Sequence, residues 1–237
     1  MSETLLEVDD LTVAFGFGPG RNIAVDGLSY GLSAGETLAI VGESGSGKSV
    51  SSLALLGLLP RQGATIERGT AHFHGRDLLQ MSDAERRKVR GNRIAMIFQE
   101  PMTSLTPVLR IGLQLTEGLV EHAGMSQKEA ADKAREMLRL VELDDPPRRM
   151  RQFPHELSGG MRQRVMIAMA MAMEPDILIA DEPTTALDVT VQAQILDLMR
   201  DLQTRFGTAI ILITHDMGVV AEMADRVVVM NNGIKVE

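Results

Sequence analysis

Eight residues, Gly42, Glu43, Ser44, Gly45, Ser46, Gly47, Lys48 and Ser49, fit the spacing G-x-x-x-x-G-K-S. This pattern suits a polyphosphate. Glycines at 42, 45 and 47 admit left-handed dihedrals and remove bulk where the backbone must touch an anion, so successive N–H groups can turn towards it. Lys48 would bridge the β- and γ-phosphates, and Ser49 would ligate Mg²⁺. The next stretch, SVSSLALLGLL, predicts a helix starting near Lys48, with Val50 in its first turn. Its unpaired amides and positive dipole end would also face the phosphates.

A second group is acidic. Asp181 and Glu182 stand side by side after the apolar run DILIA and before Pro183. Half-buried carboxylates need a cation or hydrogen bonds, and Mg²⁺ beside Ser49 would supply the cation for Asp181. Glu182 has room to polarise a water attacking the γ-phosphate. His215 follows the run AIILIT and could donate to a phosphate oxygen or to that water. Gln99 follows IAMIF, where an uncharged amide could reach metal or water.

The third group is Ser158, Gly159 and Gly160, directly ahead of a long helical pattern. The Ser158 hydroxyl and the amides around both glycines can contact a second phosphate by the same orphan-amide and dipole physics. The methionines that follow, at 161, 166, 169, 171 and 173, read as adaptable core packing rather than a ligand stripe.

Positioning these residues falls to four short apolar runs, TLAIVG, IAMIFQ, DILIAD and AIILIT, each ending in a polar residue. In open α/β sheets ligands collect outside the carboxyl ends of the strands, so residues distant in sequence can converge there. LLEVDDLTVAF and AVDGLSYGLSAGETLAIVG read as further strands, and TAHFHG as another. Pro60 ends the first helix, and a short charged helix is expected around Ala84 to Arg90. From Pro101 to about His155 the spacing turns helical, with Ser126 and Glu129 forming a capping box and PPRR interrupting the pattern. The apolar and methionine residues from Met102 to Leu109 are a candidate contact for a partner, or an ordinary buried helix start.

LSGGM at Leu157 to Met161, with the motifs above in order, resembles the signature of the ATP-binding-cassette (ABC) ATPases. The words AIVGESGSGKS, MIFQEPMTSLTP and LSGGMRQRVMIAMAMAMEPDILIADEPTTALDVTVQAQIL resemble the ATPase subunits of bacterial oligopeptide and dipeptide importers, a branch that includes nickel and glutathione uptake systems. The resemblance implies an α/β P-loop NTPase fold over 1–237, with a RecA-like core at 1–99 and 157–237, an antiparallel β subdomain and a helical subdomain at about 100–156. It makes Gln99 the Q-loop, Ala186 to Asp188 the D-loop and His215 the switch histidine, with Asp188 near nucleotide. It implies a head-to-tail dimer, homotypic or paired with a related ATPase, in which Ser158 and Gly160 act on the partner's ATP. Two permease subunits and, indirectly, an external solute-binding protein complete the assembly, on the cytoplasmic side of the bacterial inner membrane. An adenine-stacking ring is expected after the first strand, from Phe15 in preference to Phe17. Members of the branch usually continue past the position of Glu237.

Composition agrees with this reading. The 237 residues are 44% hydrophobic, enough to bury a large core. A formal charge of −8 argues against a broad nucleic-acid footprint and against direct binding to an anionic bilayer. The absence of cysteine excludes disulfides and thiolate metal sites within this span. No apolar run approaches the ~18–20 residues that cross a bilayer, and MSETLLEVDD does not resemble a signal peptide. Two other classes stay open: a non-transport cassette acting on DNA or the ribosome, and a regulatory subunit that binds ATP without hydrolysing it. The first usually carries long coiled coils or tandem cassettes; the second would be favoured by a lost Glu182 or a broken LSGG.

Overall fold

The computed structural model describes residues 4–60, 62–99, 104–185 and 187–237. In chain order the first elements are strands β1 (Thr4–Phe15), β2 (Asn22–Ser33) and β3 (Thr37–Val41), helix α1 (Lys48–Leu55), strands β4 (Ala64–Phe73) and β5 (Arg76–Asp77), helix α2 (Asp83–Val89) and strand β6 (Ile94–Ile97). Helices α3 (Ile111–Ala123), α4 (Gln127–Leu140), α5 (Pro146–Arg149) and α6 (Gly159–Met171) follow, then strand β7 (Ile177–Asp181) and helix α7 (Val189–Phe206). The chain ends with strand β8 (Ala209–Thr214), helix α8 (Met217–Met223) and strands β9 (Arg226–Asn231) and β10 (Ile234–Lys235). Contacts sort these into two compact units, residues up to Arg87 together with Ala209–Glu237, and Lys88–Thr208.

In the first unit, β2, β1, β4 and β5 form an antiparallel sheet in that order. Between the pairs Val8↔Tyr30 and Leu11↔Leu28, β1 carries one residue more than β2, and Asp10 there takes φ 49°. This is a bulge, which bends the strand and raises its twist. Of the other strands of the unit, β3 lies parallel to and between β8 and β9, with Val41 opposite both Thr214 and Val229, while β10 pairs antiparallel with β9. Every residue of β3 and of β8 is buried. Burial on both faces is why these strands read as unbroken apolar runs rather than as alternating patterns. Helix α8 packs on β3 and β8, where Val220 joins Ala39 and Val41 in a buried cluster.

In the second unit, β6 and β7 pair in parallel, with Ile97 opposite Ala180. Helix α6 packs on β6, α4 and α7. Its methionines Met166 and Met171 are buried, as the core-packing reading expects. The expected capping box is present: the Ser126 hydroxyl accepts from the Glu129 N–H, and the Glu129 carboxylate accepts from the Ser126 N–H. Below it, Ala130, Ala134, Met137 and Leu138 form the buried stripe of α4.

Three helix limits differ from the sequence pattern. Helix α1 ends at Leu55 and not at Pro60, because Gly57 at φ 61° turns the chain left-handed and Leu58 N donates back to Leu53 O at 2.8 Å. Pro146 and Pro147 do not simply interrupt: they open the single turn α5, because proline's missing N–H is no loss in a first turn, and Asp145 accepts from the Arg148 N–H. The pattern beginning at Thr106 becomes helix only at Ile111. Pro107 disfavours helical dihedrals at Thr106, and the buried Gln114 side chain holds the preceding turn, accepting from Thr106 N at 2.8 Å and donating to Leu109 O at 2.9 Å.

Candidate active site

Strand β3 delivers the chain into the phosphate loop at Gly42. This residue has φ 153° and Gly47 has φ 96°. A Cβ at Gly42 would lie 2.2 Å from the Met230 carbonyl oxygen, and one at Gly47 would lie 2.2 Å from that of Ala24. Only glycine fits this loop at either position. Lys48 is buried, its ammonium donating to the carbonyls of Gly42 at 2.7 Å and Glu43 at 2.8 Å. Gly47 caps α1 without a side chain, and no acid stands in the helix's first turn. The Ser46 hydroxyl is buried with no hydrogen-bond partner, a state costing about 1–3 kcal/mol while it lasts. An uncapped helix start, a lysine and an orphaned donor together fit an anion with several oxygens. Glu43, Ser44 and Gly45 are exposed along the loop's rim, and Ser49 and Val50 are half-buried.

The same unit brings His215 to this edge. Val41 is the Cα partner of Thr214, so Gly42 and His215 leave adjacent parallel strands at the same end. His215 is exposed. Its backbone is held on both sides: Asp216 N donates to the Thr214 hydroxyl at 3.0 Å, while Asp216 Oδ1 caps α8 by accepting from Gly218 N at 2.8 Å and Val219 N at 3.4 Å.

The second unit gathers the remaining strand-end residues. The pairing Ile97↔Ala180 puts Phe98 and Gln99 beside Asp181 and Glu182 at the carboxyl ends of β6 and β7. Gln99 Nε2 donates to Glu182 Oε2 at 2.8 Å, and Asp181 is buried. A residue the sequence reading passed over joins them: the Thr185 hydroxyl donates to the same Glu182 Oε2 at 2.9 Å. The available signal was its place three residues beyond Glu182, across a proline, which is turn spacing. Among the described residues, no group of three or more His, Cys, Asp or Glu is arranged to hold a metal. Protein donors of the Ser49, Gln99 and Asp181 kind are hard oxygens, and they suit a Mg²⁺ that takes most of its ligands from phosphate and water.

Ser158 is the N-cap of α6, its hydroxyl accepting from Met161 N at 3.3 Å. Gly159 and Gly160 form the first turn of that helix, where a Cβ on Gly160 would meet Val191 Cγ1 of α7 at 2.9 Å. Gly160 therefore permits close helix approach, rather than a positive φ. Asp188 caps α7, accepting from Val191 N at 3.0 Å. Ala186, the start of the expected D-loop, lies outside the described residues. Phe15 closes β1 opposite Asn22 and Ala64 and is half-buried, whereas Phe17 is 77% exposed.

Residues 25–185 match the family described as ABC transporter. Among curated relatives, the chain is 56% identical over 236 residues to a probable peptide ABC transporter ATP-binding protein of Sinorhizobium fredii, covering all of this chain and 70% of the relative. It is likewise 56% identical over 233 residues to the oligopeptide transport ATP-binding protein OppD of Bacillus subtilis, covering 98% of this chain and 65% of that protein. The chain thus spans roughly two thirds of the length of these relatives. Among solved structures, a dimeric bacterial ABC transporter cassette superposes with a TM-score of 0.84 at 29% identity, covering 98% of this chain and 97% of that one. A dimeric ATP-binding cassette in a post-hydrolysis state bound to ADP and phosphate gives the same values.

Proposed function

Because this chain belongs to the ABC transporter family, we propose that it binds and hydrolyses ATP to power an importer of di- or oligopeptides. The observation that carries the ATPase reading is the phosphate loop, where buried Lys48, the orphaned Ser46 hydroxyl and the uncapped start of α1 share one stretch of chain. Peptide as the solute rests on the names of relatives that match the chain across nearly its whole length.

In this proposal the loop amides from Gly42 to Val50 and Lys48 hold the phosphates, while Ser49, Asp181 and Gln99 are the protein's donors to Mg²⁺. A Mg²⁺ held there would neutralise negative charge on the phosphates. Glu182 accepts a proton as water attacks the γ-phosphorus, and the β–γ bridging bond breaks with its electron pair leaving on ADP. His215 donates to the γ-phosphate, and Phe15 stacks on adenine. Ser158, Gly159, Gly160 and Asp188 meet the nucleotide held by a second ATPase subunit. In this arrangement the α6 start offers amides while the Ser158 hydroxyl stays engaged as a cap.

The solute pathway belongs to two permease subunits, with this chain docked on their cytoplasmic face. Among the described residues, no helix is long and apolar enough to cross a membrane. We place the docking surface on a helical subdomain of about 100–156 and the groove of about 230 Å³ beside it, lined by Met96, Phe98, Ser104, Met166 and Met169. Within the stretch Met102 to Leu109, Met102 is outside the described residues, Leu105 is core, and Val108 is 76% exposed as the candidate contact.

The test is to purify the full-length protein with its native partners in mild detergent and assay ATPase activity with and without a peptide-loaded binding protein, alongside Glu182→Gln. Two permeases, hydrolysis stimulated by peptide, and a Glu182→Gln protein that binds ATP but barely turns over are expected. Ribosomes or DNA-repair proteins among the partners, with hydrolysis indifferent to peptide, would overturn transport and leave the ATPase standing.

A further inference from the structure

Glu182 sits where its backbone is strained. Its φ of 47° is in the left-handed region, which a non-glycine residue occupies only when its surroundings hold it there. Pro183 fixes the next φ, and the turn is closed by the Thr185 N–H donating to the Glu182 carbonyl at 3.2 Å. Thr185 then binds Glu182 a second time, hydroxyl to Oε2 at 2.9 Å. One residue thus holds both the main chain and the carboxylate of Glu182. A second donor to Oε2, Gln99 at 2.8 Å, comes from a different strand end.

We infer that Thr185 is a positioning residue for hydrolysis. It orients the Glu182 carboxylate through Oε2, and it is the tether that persists when the Gln99 amide turns from Glu182 to the metal and γ-phosphate. This inference rests on the reading of Glu182 as the group that polarises water. Two donors on one oxygen fix the carboxylate plane. When Gln99 leaves, the bond from Thr185 stays because it lies within the same four-residue turn. Gln99 therefore occupies the same carboxylate that hydrolysis needs, which couples its departure to the start of chemistry, while Thr185 keeps the geometry through the change. Thr185 is itself exposed, so its hydroxyl has no packing duty that would confound a substitution.

The experiment compares Thr185→Val, which removes the hydroxyl at near-constant shape, with Thr185→Ser, which keeps it, in the full-length protein purified with its partners. Hydrogen bonds to a charged acceptor have a typical worth that corresponds to roughly a 10- to 100-fold change in rate. Thr185→Val is expected to lower kcat by that factor with KM for ATP and thermal midpoint unchanged, and Thr185→Ser to recover kcat to within about twofold. In single-turnover assays, Thr185→Val should add nothing to Glu182→Gln, since the group it orients is gone. Wild-type kcat in Thr185→Val, an equal loss in the Glu182→Gln background, or failure of Thr185→Ser to rescue would each overturn the positioning role. Full turnover in Glu182→Gln alone would instead remove the underlying reading of Glu182, so the two failures are distinguishable.

Discussion

Gly160→Ala sets two opposing effects against each other. Replacing glycine by alanine in a helix ordinarily stabilises by about 1 kcal/mol, and less in a first turn. Here the new methyl would stand 2.9 Å from Val191 Cγ1, against a favourable carbon–carbon separation of about 3.5–4.0 Å. The start of α6 or the wall of α7 must therefore retreat by roughly 0.6–1.1 Å. Val191 gives way poorly, because a β-branched side chain in a helix has one strongly preferred χ1 and its N–H is held by the Asp188 cap at 3.0 Å. Overpacking of this kind costs about 1–3 kcal/mol, so the clash wins and net destabilisation of up to about 2 kcal/mol is expected. That corresponds to a fall in thermal midpoint of about 4–8 °C at most for a chain of this size. Activity should fall further. If the amides of Gly159 and Gly160 contact a phosphate across a dimer, a displacement near 1 Å costs on the order of 10²-fold in turnover. ATPase rate and thermal unfolding would be measured on Gly160→Ala, Val191→Ala and the double variant. Val191→Ala should restore most of the turnover lost in Gly160→Ala, while changing the wild type little. Turnover of Gly160→Ala within twofold of wild type, or a double variant no better than the single one, would refute both the close-approach account and the displacement arithmetic.

Gly47→Ala and Gly45→Ala should part company. The first drives a methyl to 2.2 Å from the Ala24 carbonyl at φ 96° and should lower stability by about 3 kcal/mol or more; the second, at φ 81° with open space around it, should cost only about 1–2 kcal/mol, both read by urea denaturation. Hydrogen bonds from Ser126, its hydroxyl first and its backbone N–H second, hold the Glu129 carboxyl below the usual carboxylate range. Because the folded value is the lower one, the bond's support of α4 is complete above the unfolded value of about 4.3 and fades as pH falls through the folded value. The protection of the Ser126 amide against hydrogen exchange, taken relative to its intrinsic rate at each pH, should fall across that acidic window in the wild type. In Glu129→Ala the protection should be low already at neutral pH.

Legibility followed locality. The four apolar runs became β3, β6, β7 and β8 because strands buried on both faces advertise themselves as unbroken hydrophobic stretches. The phosphate loop was visible because its pattern fits within eight residues, although the close approaches that demand glycine at 42 and 47 come from the distant carbonyls of Met230 and Ala24. The Ser126–Glu129 box was equally local. What depended on distant partners was not readable. Gly160 looked like a turn glycine until Val191, thirty-one positions on, supplied the reason for it. The PPRR segment suggested a break, yet Asp145 and the tolerance of a first turn for proline made it helical. Ser158 and Asp188 carry a second duty as helix N-caps, each side chain accepting from the N–H three residues on. Thr185 was inconspicuous because nothing in its type announces that the backbone at Glu182 bends left-handed and brings the two side chains together.

The clamp around His215 has an entropic consequence. An ordinary loop residue that engages a ligand must fix its own φ and ψ at a cost of about 1–2 kcal/mol, in addition to its side-chain rotamer. Thr214 is the last residue of a buried strand, and Asp216 is tied both to Thr214 and to the first turn of α8. The main chain at 215 is already ordered by folding. In the proposed role on a phosphate oxygen, the imidazole would then add no backbone ordering at 215 to the restriction of its side chain. Under that proposal the histidine would engage and release with each turnover at a small, repeatable ordering cost, which suits a group that must let go of its product as readily as it takes hold of its substrate.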